Sequence, residues 1–145
     1  MSDATPILAI DSSAFVRRYL TDRDRPLVVE TMADATHWCA SALARTEVLA
    51  LLHRAALDSF SQQALWHRFR DDWDAVAVVP VDDRCLQRAA EIAALYRVRT
   101  VDAIHLAAAD RLPRPARLLT FARQQIPAAT ALGLEVVSPR SGADW

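Results

Sequence analysis

Short strand-like runs alternate with stretches of helical periodicity along this chain, and that alternation restricts the fold more than any other feature. Ile7-Leu8-Ala9-Ile10 is an apolar run that ends in Asp11. His37-Trp38-Cys39-Ala40-Ser41 reads as a second strand, and Ala75-Val76-Ala77-Val78-Val79 is a third, stopped by Pro80. Arg117-Leu118-Leu119-Thr120 and Glu135-Val136-Val137-Ser138 supply the last two. Runs this short and this apolar suit strands buried on both faces. Alternation with helices is the pattern of a parallel sheet covered on two sides. The expected fold class is therefore α/β, a three-layer α/β/α arrangement with about five short parallel strands and a high helical content.

The helical segments follow from their spacing and caps. Phe15, Tyr19 and Leu20 predict a helix over 12–22. Pro26 interrupts the pattern of 23–35, where Leu27-Val28-Val29 is read as the start of a short helix. Leu43, Val48, Leu51 and Leu52 share one helix face running to about Leu57. Ser59 or Ser61 can cap a helix carrying Leu65, Trp66, Phe69 and Trp73, an aromatic stripe suited to a core or a dimer surface. Asp82 or Asp83 caps the next, from Arg84 to about Tyr96. Another begins at Thr100-Val101-Asp102 and reaches Ala109, before Pro113 and Pro115. Residues 123–132 read as helical, with Gly133 as a C-terminal cap.

The 145 residues suit one domain, 1–145, and an apolar content of 52% permits a substantial core. The formal charge of −1 neither predicts nor excludes a nucleic-acid partner. All 17 basic residues are arginines, side chains adapted to bidentate phosphate contacts. The two glycines, Gly133 and Gly142, are too few for a glycine-rich phosphate loop. Cys39 and Cys85 have no metal-ligand spacing and read as buried free thiols. No signal peptide and no membrane-spanning run is read, so the expected compartment is the cytoplasm. The serines and histidines form no nucleophile motif, which argues against a serine hydrolase.

Three acids stand among small or apolar neighbours. Asp11 follows the first strand, Glu47 lies early in its helix, and Asp102 lies in a first helical turn. Taken alone, Asp11 reads as a helix cap, shared with Ser12 or Ser13, and Glu47 as a partner for Arg45 or His53. In an open α/β sheet, however, ligands bind at the carboxyl ends of strands. If the first two strands are neighbours, Asp11 and Glu47 can meet there. Carboxylates brought together favour a neutralising cation, and hard oxygen ligands suit Mg²⁺ or Mn²⁺. His105 shares a helix face with Asp102 and reads as a packed or hydrogen-bonded structural histidine.

These residues carry a family resemblance. Asp11-Ser12-Ser13, then Thr46-Glu47-Val48-Leu49, then Val101-Asp102-Ala103-Ile104-His105-Leu106, then Leu118-Leu119-Thr120-Phe121, and finally Leu134-Glu135-Val136-Val137-Ser138-Pro139 stand in order along the chain. The order resembles that of PIN-domain ribonucleases, and more narrowly of VapC-type toxins of bacterial toxin–antitoxin modules. The resemblance implies a Mg²⁺- or Mn²⁺-dependent endoribonuclease in which Asp11, Glu47 and Asp102 are catalytic metal ligands. Ser13 and Thr120 support them by the same resemblance. It also implies RNA as substrate, a cognate antitoxin as protein partner, and a homodimer. Arg17, Arg18 and Arg123 are candidate RNA contacts, with Arg111, Arg114 and Arg117 behind them.

One position departs from the family pattern, which places a further aspartate two residues after the threonine. This chain has Ala122 there. Asp110 is a poor substitute, since it lies eight residues beyond Asp102, roughly 12 Å along a helix. One metal site is expected, with a second weak or missing. Ala122 also keeps open a different function, a PIN-like binding module of low or no activity. Ala122→Asp is expected to tighten Mn²⁺ binding in calorimetry; unchanged affinity would place residue 122 away from the site.

Overall fold

A computed structural model of the chain describes residues 7–139. The N-terminal reading made above rests partly on residues 1–6, outside that range. Five parallel strands form one sheet: β1 (Ile7–Ile10), β2 (Trp38–Ser41), β3 (Val76–Val79), β4 (Ala116–Leu119) and β5 (Glu135–Val137). Their spatial order is β3-β2-β1-β4-β5. Between them run α1 (Ser12–Phe15), α2 (Arg25–Asp34), α3 (Ala42–Ala55), α4 (Ser59–Trp73), α5 (Asp83–Tyr96), α6 (Thr100–Asp110) and α7 (Ile126–Ala131). Strand order turns back at β1, which pairs with β2 on one side and β4 on the other. Such a switch point opens a crevice at the strands' carboxyl ends.

Side-chain alternation divides the interior in two. Leu8, Ile10 and Leu119 point into a core closed by Val28 and Met32 of α2, Val48 and Leu52 of α3, and Phe69 of α4. Ala9, Ala116 and Leu118 point the other way, against Cys85 and Ile92 of α5, Leu106 of α6 and Ala129 of α7. Successive strand residues face opposite sides, so one run serves both layers. The expected three-layer α/β/α architecture is the observed one. Cys39 and Cys85 are buried free thiols. Among the described residues no helix is long and apolar enough to cross a membrane.

Several boundaries differ from the sequence reading for local reasons. The helix expected over 12–22 is only α1, followed by a 3-10 turn over Val16–Arg18. The Arg17 guanidinium donates to the Ser13 carbonyl at 2.6 Å, occupying an oxygen that a continuing helix would use. Pro26 opens α2 instead of breaking it, because proline fits a first turn whose N–H groups have no helical partner. Pro127 does the same for α7, so 123–125 form a separate 3-10 turn. Asp58, not a serine, caps α4 by accepting from the Ser61 N–H at 2.7 Å. Asp82 caps α5. Gly133, at φ 83, ends α7 while the Leu134 N–H reaches back to the Ala129 carbonyl.

The aromatic stripe of α4 belongs mainly to the core. Phe69 is fully buried and meets Phe15 edge-on at 5.2 Å and Tyr19 at 5.8 Å between ring centroids. This cluster fixes α4 against the segment that follows Asp11. Phe69→Ala is expected to cost about 3–5 kcal/mol of unfolding free energy, read by urea denaturation. A loss well below that would mean that the neighbouring rings refill the space.

Candidate active site

The carboxyl edge of the central strands collects the three acids. Asp11 leaves β1 in an extended conformation and caps α1, its side chain accepting from the Ser13 N–H at 3.2 Å. The cap reading and the acid-cluster reading therefore describe the same residue. Its N–H is bonded to the Leu119 carbonyl of β4 at 3.0 Å. Glu47 lies on α3, the helix that follows β2, and Asp102 in the first turn of α6. Asp11 and Asp102 are buried, at 3% and 4% exposure.

Each carboxylate is held by named donors. The Ser13 hydroxyl donates to Asp11 Oδ2 and accepts from the Phe121 N–H at 2.9 Å. The Thr120 hydroxyl, fully buried, donates to the same oxygen at 3.2 Å and accepts from the Ala122 N–H. Ser13 and Thr120 thus sit where supporting groups were expected. Asp102 pairs with Arg99 at 3.1 Å. Glu47 accepts from the Ser12 hydroxyl at 2.6 Å and from His105 Nε2 at 2.5 Å. Ser12 and His105 thus take the place of the Arg45 or His53 partner expected for Glu47, and His53 bonds Gln62 at the α3–α4 hairpin.

His105 bridges the acids. It is 4% exposed, and Nε2 stands 3.8 Å from Asp11 Oδ1. Burial pushes its basicity down, but the bond to Glu47 and the charges of Asp11, Glu47 and Asp102 outweigh that and hold it above the ordinary histidine value. Burial pushes the Glu47 carboxyl up, but the His105 and Ser12 bonds and the charges of His105 and Arg99 hold it below the usual glutamate range. His105 Nε2 and Glu47 Oε1 are in direct contact, and each group favours the charged form of the other.

Gln125 was absent from the sequence reading. It is fully buried, and its amide nitrogen stands 3.3 Å from Asp11 Oδ1 and 3.0 Å from Asp102 Oδ1. Its Oε1 accepts no hydrogen bond. Arg99 and Ser12 were also missed. Gln125 and Ser12 have partners on other elements, which no local pattern marks, whereas Arg99 pairs with Asp102 at i,i+3, a spacing that the sequence does carry.

The candidate arginines have protein partners of their own. Arg17 pairs with Asp22 at 3.4 Å and lies 4.3 Å from the Phe121 ring centroid, beside the Ser13–Thr120 rim. Arg18 pairs with Asp72 at 2.9 Å and lies over Trp38. Arg111 binds Asp82, Arg114 binds Asp110 and Arg117 faces Glu135. Arg123 stands in the 3-10 turn that carries Gln125.

Among the described residues no three His, Cys, Asp or Glu side chains are grouped so as to hold a metal ion. The acids are joined through protein donors. In kind, though, the donors fit a hard divalent cation: three carboxylates and the unpartnered Gln125 amide oxygen.

The PIN-domain family model matches residues 8–121. The chain belongs to the PIN-domain family. A relative from Mycobacterium tuberculosis, Ribonuclease VapC46, is 32% identical over 137 residues, spanning 90% of this chain and 95% of that one. Among solved structures, VapBC2 of Rickettsia felis bound to a promoter DNA fragment aligns with TM-score 0.67 and 12% identity, over 92% of this chain and 98% of that one. VapBC-5 of Mycobacterium tuberculosis, a toxin–antitoxin system member, aligns with TM-score 0.63 and 17% identity over the same shares. These structures share the fold of this chain.

Removing one donor from the buried Asp11 carboxylate tests this arrangement. Thr120→Val is expected to lower unfolding free energy by about 1–3 kcal/mol, measured by urea denaturation in EDTA. No measurable loss would mean that the remaining donors suffice.

Proposed function

We propose that this chain is a divalent-metal-dependent endoribonuclease, the toxin of a toxin–antitoxin pair, formed by one PIN-like domain over 1–145. The observation that carries the reading is the convergence of Asp11, Glu47 and Asp102 on the switch-point edge of the sheet. The VapC46 relative and the VapBC structures support the nuclease activity and the antitoxin partner.

Asp11, Glu47 and Asp102 would hold Mg²⁺ or Mn²⁺. When bound, such an ion stabilises negative charge on a phosphodiester and makes water a better nucleophile. Ser13 and Thr120 keep Asp11 in one orientation by donating to Oδ2. His105 keeps Glu47 ionised and aimed inward. With water as the nucleophile, no covalent intermediate with the chain is required. Arg17 and Arg18 would reach RNA by releasing Asp22 and Asp72, and Arg123 stands on the adjoining turn as a further candidate phosphate contact. A homodimer in the cytoplasm is part of the same proposal.

A second reading keeps a specific observation: Ala122 replaces the expected acid, and all three carboxylates already have protein partners. It makes the chain a binding module of low activity.

Asp11→Asn separates the two. With the nuclease reading, metal-dependent cleavage of RNA falls at least about 100-fold and EDTA abolishes it in the wild type. Cleavage that survives the substitution overturns the site assignment. Tight antitoxin binding with no cleavage of any RNA supports the module. A DNA substrate run alongside tests the choice of nucleic acid.

A further inference from the structure

The least expected group at this edge is the Gln125 side chain. It is fully buried, it touches two of the three acids through one nitrogen, and its oxygen has no partner. A buried carbonyl oxygen without a donor is costly. A residue serving only to fill space could be apolar without that cost.

The amide has two uses that differ by a half-turn about its last bond. With nitrogen inward, as observed, its two N–H groups separate Asp11 Oδ1 from Asp102 Oδ1 and offset their repulsion. With oxygen inward, the same side chain offers a hard, neutral oxygen between the same carboxylates. The first arrangement suits acids without a cation and the second suits acids with one. No acid stands at residue 122 to supply a further oxygen.

We propose that Gln125 is a metal-ligating residue of this chain: on cation binding its amide turns over, and Oε1 takes the place of the acid that Ala122 leaves out. This rests on the divalent-metal reading above. The neutral ligand makes the loaded site one negative charge poorer than a four-carboxylate site, and so weaker for Mn²⁺. The opposite possibility is that Gln125 only donates to the acids and competes with the cation. The two differ in sign, because removing a ligand weakens binding and removing a competitor strengthens it.

The test uses the whole chain with MnCl₂ in calorimetry, comparing the wild type with Gln125→Met and Gln125→Glu. Gln125→Met is expected to weaken Mn²⁺ binding about tenfold. Gln125→Glu is expected to tighten it by about as much and to lower the melting temperature in EDTA but not in Mn²⁺. Affinity that is unchanged or tighter in a folded Gln125→Met overturns the proposal. NMR of the wild type needs no variant and decides the matter if Gln125→Met fails to fold. The Gln125 side-chain carbonyl carbon is expected to move on saturation with Mg²⁺; movement of the Asp11 and Asp102 carboxyl carbons alone overturns the proposal. A wild type that binds no divalent cation overturns both this inference and the metal-dependent reading. Binding by the wild type with Gln125→Met unaffected overturns this inference only.

Discussion

The carboxylate of Asp11, buried at the end of the central strand, is the group around which the structure is arranged. A charge taken out of water needs donors in place of solvent. Asp11 finds them on three separate segments: Ser13 of α1, Thr120 after β4 and Gln125 of the following turn. Its backbone also joins β4 through the Leu119 carbonyl. Satisfying one side chain therefore fixes the relative positions of β1, β4 and the loop between β4 and α7. The same bonds keep the carboxylate at the strand edge where the sheet order reverses.

The packing beneath makes that arrangement rigid. Phe15, four residues beyond Asp11, is locked between Tyr19, Phe69 and Trp73. On the opposite face Ala103, Leu106 and Ala107 of α6 are fully buried, so the helix bearing Asp102 and His105 is seated closely on the sheet. Small side chains along α6 allow this approach. Each acid thus projects from a core-anchored element, which keeps like charges near one another despite their repulsion.

Much of the fold was legible because its causes are local. β-Branched and apolar runs announced the strands, and Asp82 and Gly133 marked helix ends through hydrogen bonds to near neighbours. The errors came where a distant or bulky group intervened. Arg17 captured a helix carbonyl and shortened α1. Pro127 moved the start of α7, and Asp58 displaced two serines as a cap. At the site, Asp11, Glu47 and Asp102 were legible from their placement and from family resemblance. The hydrogen-bonded role of His105 was legible too, but not its partner on α3. Gln125 was not, since Arg123-Gln124-Gln125 reads as a polar turn, with nothing local to say that one glutamine is fully buried.

By itself the sequence determined a parallel α/β fold, a strand-end aspartate and the absence of an acid at residue 122. Those properties depend on periodicity, on side-chain chemistry and on residue identity, which the chain carries locally. Only the tertiary structure decided that His105 lies against Glu47 and that one glutamine amide joins Asp11 to Asp102. The physical reason is that these bonds close across segments far apart in the chain. Their existence depends on strand order and helix seating, which no short stretch of residues encodes.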